Sequence, residues 1–139
     1  MNKNRELIAI LRGLTRDRCV VVSKILISEG FSKLEVPLNS PNPMETIAEM
    51  QKNFGTSSII GAGTVTNVRE VSELSNLGCQ MIVSPNTDTE VIKATKNEGM
   101  LSLPGAFTPS ECFSAINSCL LYTSPSPRDR QKSRMPSSA

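Results

Sequence analysis

A carboxylate stands in the middle of one of the apolar stretches of this sequence. Glu35 lies between Leu34 and Val36 in the run from residue 33 to residue 38. If this run is a strand, side chains alternate between its faces, so Glu35 points away from its apolar neighbours. Burying a carboxylate is costly unless a partner or a reaction uses it. The sequence leaves two compatible hypotheses for Glu35, an ion pair with Arg12 on the neighbouring strand or acid–base catalysis.

Two further polar side chains follow apolar runs. Arg12 ends the first run, and its planar guanidinium suits a carboxylate or a phosphate, with an ion pair to Glu35 as the alternative. Thr64 follows Gly61-Ala62-Gly63, where small residues let backbone amides approach an anion, with tight packing as the alternative. This stretch is not a phosphate-binding P-loop, because the pattern G-x-x-x-x-G-K-[ST] is absent.

A strand–turn–helix unit repeats five times between residues 7 and 118. The predicted strands are residues 7–11, 34–38, 58–61, 81–84 and 101–103. Glycines that can close a helix in the left-handed conformation precede the second to fifth strands, at Gly30, Gly55, Gly78 and Gly99. Residues able to cap a helix, each with Glu three positions later, are Asn42, Thr87 and Thr108. The repeat predicts parallel strands joined by helical crossovers.

Such a repeat fits an open doubly wound sheet or a closed (β/α)₈ barrel. A dinucleotide-binding open sheet would favour G-x-G-x-x-G after the first strand, but the chain continues there as Arg12-Gly-Leu-Thr15. Polar groups at successive strand ends instead resemble a barrel mouth. We therefore predict an α/β fold, a (β/α)₈ TIM barrel of which only the first five β/α units are present. We expect residues 1–119 to be this partial barrel.

The amino-acid composition argues against several classes of function. The sequence has no histidine, which excludes mechanisms that need imidazole. Its four cysteines are scattered without a C-x-x-C pair, so we expect neither a metal site nor a disulfide scaffold. Residues 1–119 carry 11 basic and 12 acidic residues, a balance that argues against a nucleic-acid partner. No apolar run approaches the roughly 20 residues that a membrane span needs, and no signal-peptide core is evident, so we predict a cytoplasmic protein without a membrane partner.

Residues 120–139 do not continue the repeat. They carry four basic residues against one acidic residue, and they contain five serines and three prolines. Such a composition is typical of a disordered tail. The alternatives are a basic interaction patch from Arg128 to Arg134 and a segment that is not native coding sequence. We favour the last, because the repeat stops abruptly where a sixth strand is expected and leaves an open sheet edge.

Four motifs, in order, give the chain a specific resemblance. They are Ile8-Ala-Ile-Leu-Arg-Gly13, Glu35-Val-Pro-Leu-Asn-Ser-Pro41, Ile60-Gly-Ala-Gly-Thr-Val65 and Ile82-Val-Ser-Pro-Asn86. Together they resemble the family of 2-dehydro-3-deoxy-6-phosphogluconate and 2-dehydro-3-deoxy-6-phosphogalactonate aldolases, over about residues 7–118. The second motif favours the galactonate branch, with the gluconate epimer as the alternative substrate.

The resemblance implies a class I aldolase that needs no metal or other cofactor. A lysine Schiff base would cleave a phosphorylated keto-sugar acid to pyruvate and glyceraldehyde 3-phosphate. Carried over by position, Glu35 is the catalytic proton shuttle, and Arg12 and Thr64 bind the substrate. The full-length family member is expected to be a homotrimer.

The family's Schiff-base lysine lies on a sixth strand in a Lys-Leu/Ile-Phe-Pro motif, which this sequence lacks. Lys93 and Lys96 fall on the predicted fourth helix, and Lys33 begins its strand at the wrong end. We therefore predict that the 139-residue chain is an inactive N-terminal part of such an enzyme. A hypothesis of another class is a non-catalytic half-barrel that binds a partner or pairs with a second half.

Overall fold

The computed structural model describes residues 6–119, in which five strands alternate with five helices. The strands are β1 (Ile8–Ile10), β2 (Lys33–Pro37), β3 (Ile59–Gly63), β4 (Met81–Ser84) and β5 (Leu101–Pro104). The helices are α1 (Arg16–Ser28), α2 (Pro43–Phe54), α3 (Val68–Asn76), α4 (Thr89–Asn97) and α5 (Pro109–Cys119). The predicted repeat is confirmed. The predicted tail, with its basic residues from Arg128 to Arg134, lies outside the described residues.

All neighbouring strands pair in parallel, and their order in the sheet is the same as their order in the chain. In a doubly wound sheet the order of the strands reverses at a switch point, and the strand order of this sheet has no such reversal. Sequential parallel strands with a helix after each one are the arrangement of a (β/α)₈ barrel, here in five consecutive units. The predicted fold class is therefore confirmed.

The sheet has two faces of different character. The face turned toward the helices is an apolar core, and the five residues at its centre are at most 1% exposed: Leu34, Val36, Ile60, Ala62 and Ile82. The strand register places a second row on the opposite side, which we call the inner face: Ile10, Glu35, Gly61, Met81 and Leu101. In a closed barrel the inner face fills the interior. Glu35 thus lies on the face predicted from strand alternation.

The ends of the helices differ in part from the prediction. Gly30, Gly78 and Gly99 have positive φ as predicted, whereas Gly55 caps α2 in a right-handed conformation. Thr108 and Glu111 form the predicted reciprocal capping contacts at the start of α5, with the Glu111 amide donating to Thr108 Oγ1 and the Thr108 amide donating to Glu111 Oε2.

Two predicted caps are wrong. Asn42 has a left-handed backbone, with φ of 44°, and its side chain accepts no capping hydrogen bond. The cap of α4 is Asp88, whose Oδ1 accepts from the amides of Glu90 and Val91. Thr87 is occupied elsewhere, because its hydroxyl donates to the Gly105 carbonyl at 2.7 Å.

No helix among residues 6–119 is long and apolar enough to cross a membrane.

Candidate active site

Glu35 is the only carboxylate among the buried residues of the described chain. It lies at the centre of β2 with 5% of its surface exposed, between Ile10 on β1 and Gly61 on β3. Burial raises the pKa of this carboxyl above its ordinary value, because the charged form loses hydration. The positive charge of Arg12 opposes that rise. A carboxyl with a raised pKa can carry a proton nearer neutral pH, as an acid–base catalyst requires.

Arg12 lies just beyond the end of β1, on the loop that leads to α1. The backbone is held there by the Leu11 amide, which donates to the Glu35 carbonyl at 2.8 Å. The Arg12 side chain is exposed, and no ion pair shorter than 4.0 Å joins it to Glu35. The direct ion pair considered from the sequence is therefore not formed, and the guanidinium acts on Glu35 only through its field.

Gly63 lies directly against the Glu35 carboxylate. It is the last residue of β3 and pairs with Pro37, two residues beyond Glu35 on β2. A Cβ atom on Gly63 would lie 1.6 Å from Glu35 Oε1, so the carboxylate occupies the volume of the missing side chain. Sequence reasoning attributed the Gly-Ala-Gly stretch to anion binding or tight packing, and it did not connect Gly63 with Glu35. The signal that could have found this contact is the β2–β3 pairing register, which brings Gly63 close to Glu35.

Thr64 follows Gly63 directly and is half-buried at the end of β3. Its φ of 60° lies in the left-handed region, which is unusual for a β-branched residue. Residues held in such a conformation cost about 1–3 kcal/mol and cluster at functional sites. The next residue, Val65, is anchored by its amide, which donates to the Val83 carbonyl at 3.2 Å.

A buried hydroxyl ties together the loops after β1 and β2, and sequence reasoning missed it. Ser40 is buried, and its Oγ accepts a hydrogen bond from the Gly13 amide at 3.1 Å. Gly13 adopts the left-handed conformation, with φ of 76°, directly after Arg12. The contact fixes the loop that carries Arg12 against the loop that follows the strand of Glu35. It joins residues 27 positions apart, a link that no local pattern signals.

The three lysines considered from the sequence lie away from the end of the sheet where Arg12 and Thr64 lie. Lys33 is the first residue of β2, at the opposite end of the strand, and it pairs with Glu6 at 4.0 Å. Lys93 lies on α4 and pairs with Glu90 at 3.0 Å, and Lys96 lies in the last turn of the same helix. None of these three side chains belongs to the inner face beside Glu35 at the Arg12 end.

A groove of about 630 Å³ opens at the starts of α1 and α2, apart from the inner face. Its lining includes Arg16, which is already paired with Glu45 at 3.5 Å and with Glu49 at 3.3 Å. None of the three predicted site residues lines it. We therefore place the candidate site on the inner face rather than in this groove. The part of the chain that the structure describes contains no group of three or more His, Cys, Asp or Glu that could hold a metal ion.

Consecutive parallel β/α units with a buried acid on the inner face define a segment of a (β/α)₈-barrel enzyme. Comparison with known proteins identifies the group. The family described as "Aldolase: KDPG and KHG aldolase" matches residues 1–122, and the chain belongs to this aldolase family.

Individual relatives agree with this assignment. The chain is 42% identical over 111 residues to the "Probable 2-dehydro-3-deoxy-6-phosphogalactonate aldolase" of Rhizobium meliloti (strain 1021), covering 80% of this chain and 52% of that protein. It is 42% identical over 110 residues to the 2-dehydro-3-deoxy-6-phosphogalactonate aldolase of Escherichia coli (strain K12), covering 79% and 54%. A solved structure titled "Native KDPGal structure" superimposes with a TM-score of 0.81 at 39% identity, covering 85% of this chain and 57% of that one. The chain thus spans about half the length of the relatives it matches.

Proposed function

We propose that this chain is part of a class I aldolase that cleaves 2-dehydro-3-deoxy-6-phosphogalactonate to pyruvate and glyceraldehyde 3-phosphate. The observation that carries the proposal is the buried Glu35 carboxyl on the inner face of a barrel segment, with Arg12 and Thr64 at the ends of the two flanking strands. Both relatives compared above bear the name of this substrate and are 42% identical to the chain.

The proposed reaction begins with a lysine amine, which attacks the C2 ketone of the substrate and forms a carbinolamine. Loss of water gives a Schiff base, whose positive nitrogen accepts the electron pair of the C3–C4 bond as that bond breaks. The proton of the C4 hydroxyl leaves at the same time, so glyceraldehyde 3-phosphate departs as the aldehyde. The remaining enamine is protonated at C3 and hydrolysed by water, which releases pyruvate and regenerates the amine.

Glu35 is proposed to carry the protons in these steps. As a carboxylic acid it donates a proton for the loss of water, and as a carboxylate it accepts the proton of the C4 hydroxyl. The raised pKa supports both roles, because the protonated and ionised forms then interconvert at a milder pH. Arg12 is proposed to bind the substrate carboxylate, since its guanidinium has no partner within 4.0 Å among the described residues. Thr64 would add a hydroxyl at the same end of the sheet.

The amine is proposed to come from a sixth strand, which would pair with the edge of β5 that has no partner strand within residues 6–119. Lys33 begins β2 at the opposite end of the sheet, and Lys93 and Lys96 lie on α4. None of the three is therefore placed to replace this amine. The 139-residue chain by itself is therefore expected to be inactive. Incubation with pyruvate and borohydride, followed by mass spectrometry, should leave it unmodified. A covalent pyruvate adduct on any of its lysines would contradict this part of the proposal.

The activity is tested in a chimera in which residues 7–118 replace the matching segment of the Escherichia coli relative, the rest of which supplies the groups that this segment lacks. The chimera should release pyruvate from the phosphogalactonate substrate. A folded chimera without this activity, beside an active parent enzyme, would count against the proposal. The gluconate epimer is the second candidate substrate, because the description of the matching family names KDPG, the abbreviation for this phosphogluconate compound. A higher kcat/KM for the gluconate epimer would favour it.

Assembly and location are proposed on the family resemblance. We expect the full-length protein to be a cytoplasmic homotrimer, and light scattering on the chimera measures its assembly directly. A monomer would contradict the proposed trimer without affecting the chemistry.

A further inference from the structure

We propose that Gly63 is a positioning residue, whose missing side chain provides the space in which the Glu35 carboxylate lies across the end of β3. The inference rests on the function proposed for Glu35, because a positioned carboxylate matters only if Glu35 acts on the substrate. It assigns a role to a residue outside the predicted catalytic and binding set.

The atoms nearest to a Cβ on Gly63 all belong to the end of the Glu35 side chain. A Cβ on Gly63 would lie 1.6 Å from Oε1 of Glu35, 2.5 Å from its Cδ and 3.1 Å from its Cγ. All three are contacts with one side chain, and the closest is far below the 3.0 Å that real Cβ atoms essentially never cross. Alanine at this position would therefore force the carboxyl group of Glu35 to move.

The backbone gives no other reason for glycine at this position. The glycines with positive φ in the described chain are Gly13, Gly30, Gly78 and Gly99, and Gly63 is not among them. Its strand cannot retreat to make room, because the Leu38 amide donates to the Gly63 carbonyl at 2.8 Å and the β2–β3 pairing extends to this residue. Space for the carboxylate is thus the requirement that Gly63 meets.

Gly61 provides a matched control on the same strand and the same face. Its added Cβ would lie 2.5 Å from Cε, 2.8 Å from Cβ and 2.8 Å from the backbone oxygen of Met81, so this position is also crowded, but by a different residue. Alanine at position 61 should strain the packing against Met81, whichever residue stands at position 35.

A thermal double-mutant cycle on the full 139-residue chain separates the two cases. Gly63→Ala should lower Tm by roughly 2–6 °C, the lower part of the range for a side chain forced into occupied space, because only the end of the Glu35 side chain has to shift. In a Glu35→Ala background most of this decrease in Tm should disappear, because the clashing carboxylate is absent. Gly61→Ala should lower Tm by similar amounts in both backgrounds. An equal loss for Gly63→Ala in both backgrounds, including failure of both proteins to fold, would overturn the proposal.

A second readout follows the carboxyl group itself. Carbon NMR titration of the Glu35 side chain should give a lower pKa in Gly63→Ala than in the unmodified chain, since the displaced carboxyl is better hydrated and stays under the field of Arg12. The neighbouring groups that could also act on it are Lys33 on the same strand face and Glu6 paired with Lys33, while β3 contributes no charge. An unchanged pKa in a folded variant would contradict displacement.

In the chimera, Gly63→Ala should lower kcat more than it raises KM, and the pH at which kcat begins to fall on the acid side should shift downward. Adding Glu35→Asp, which shortens the side chain by one methylene, should recover part of the lost kcat. If the chimera proves independent of Glu35, the proposed function fails, whereas the thermal cycle still decides whether Gly63 positions the carboxylate.

Discussion

The two faces of the sheet differ in how deeply their side chains are buried. On the face toward the helices, strand residues such as Ile60 are fully buried in a continuous apolar core. On the inner face, Ile10 at the β1 edge is 60% exposed and Leu101 at the β5 edge is 37% exposed, while Glu35 between them is nearly enclosed. The first face holds the structure together. The second accepts a buried carboxyl, two glycines and, at its end, a strained Thr64, features that lower stability and that a reaction can use.

The largest effect should appear when the same residue type is truncated on each face. Ile60→Ala removes a fully buried side chain and should reduce the free energy of unfolding by about 2–5 kcal/mol. Ile10→Ala removes a mostly exposed one and should cost no more than about 0.5 kcal/mol. Urea denaturation of both variants measures the difference. Similar costs would mean that the inner face contributes to the core as strongly as the outer one does.

An intermediate effect should come from the buried charge. The pKa of Glu35 is raised by burial, so ionising it costs the folded state free energy above the pH at which an unfolded glutamate titrates, and that cost vanishes at lower pH. Glu35→Gln should therefore raise Tm at neutral pH, with a gain that shrinks as the solution is acidified. A Gln variant less stable than the parent chain at pH 7 would contradict the raised pKa.

Glu49 supplies a control of opposite sign for that experiment. The hydrogen bond from Arg16, with a second from Asn53, lowers the pKa of this half-buried carboxyl. Its contribution is present above the unfolded pKa and is lost as the pH falls through the folded one. Glu49→Gln should therefore lower Tm slightly at neutral pH, and the two variants should diverge as pH rises. Parallel pH profiles would show that burial does not distinguish the two carboxyls.

The smallest effect on stability is expected at Thr64. Thr64→Gly relieves the left-handed backbone but frees the unfolded chain, so we expect a net change within about 1 kcal/mol. Thr66→Gly is the control, because Thr66 has no positive φ and its replacement should only destabilise, by about 0.5–1 kcal/mol. In the chimera, Thr64→Gly should still raise KM through loss of the hydroxyl. An unchanged KM would remove Thr64 from the binding site.

Regular features were predictable from the sequence because they depend on local spacing. The limits of β4 agree with the prediction, and alternation within β2 placed Glu35 on the correct face. The predicted β3 ended at Gly61, two residues early, because glycine has low strand propensity and the neighbouring strands that hold Gly63 in the sheet are distant in sequence.

Contacts between distant residues account for the remaining differences. Thr87 is a residue type that often caps a helix, but its hydroxyl donates a hydrogen bond to the carbonyl of Gly105, 18 residues later. The contact between Ser40 and Gly13 and the space that Gly63 leaves for Glu35 likewise depend on how loops and strands are brought together. The ion pair of Arg12 with Glu35, one of the two alternatives that the sequence left open, is not formed, because Arg12 lies past the end of β1 and its side chain is exposed.

The central claim is that the inner-face carboxyl of Glu35 moves the protons of an aldol cleavage. The most direct measurement is the rate of pyruvate release from 2-dehydro-3-deoxy-6-phosphogalactonate by the chimera with Glu35 and by its Glu35→Gln variant. Gln keeps the size of the side chain but cannot exchange a proton, so kcat should fall by about 10²–10⁴-fold. Equal rates in two folded proteins would contradict the claim.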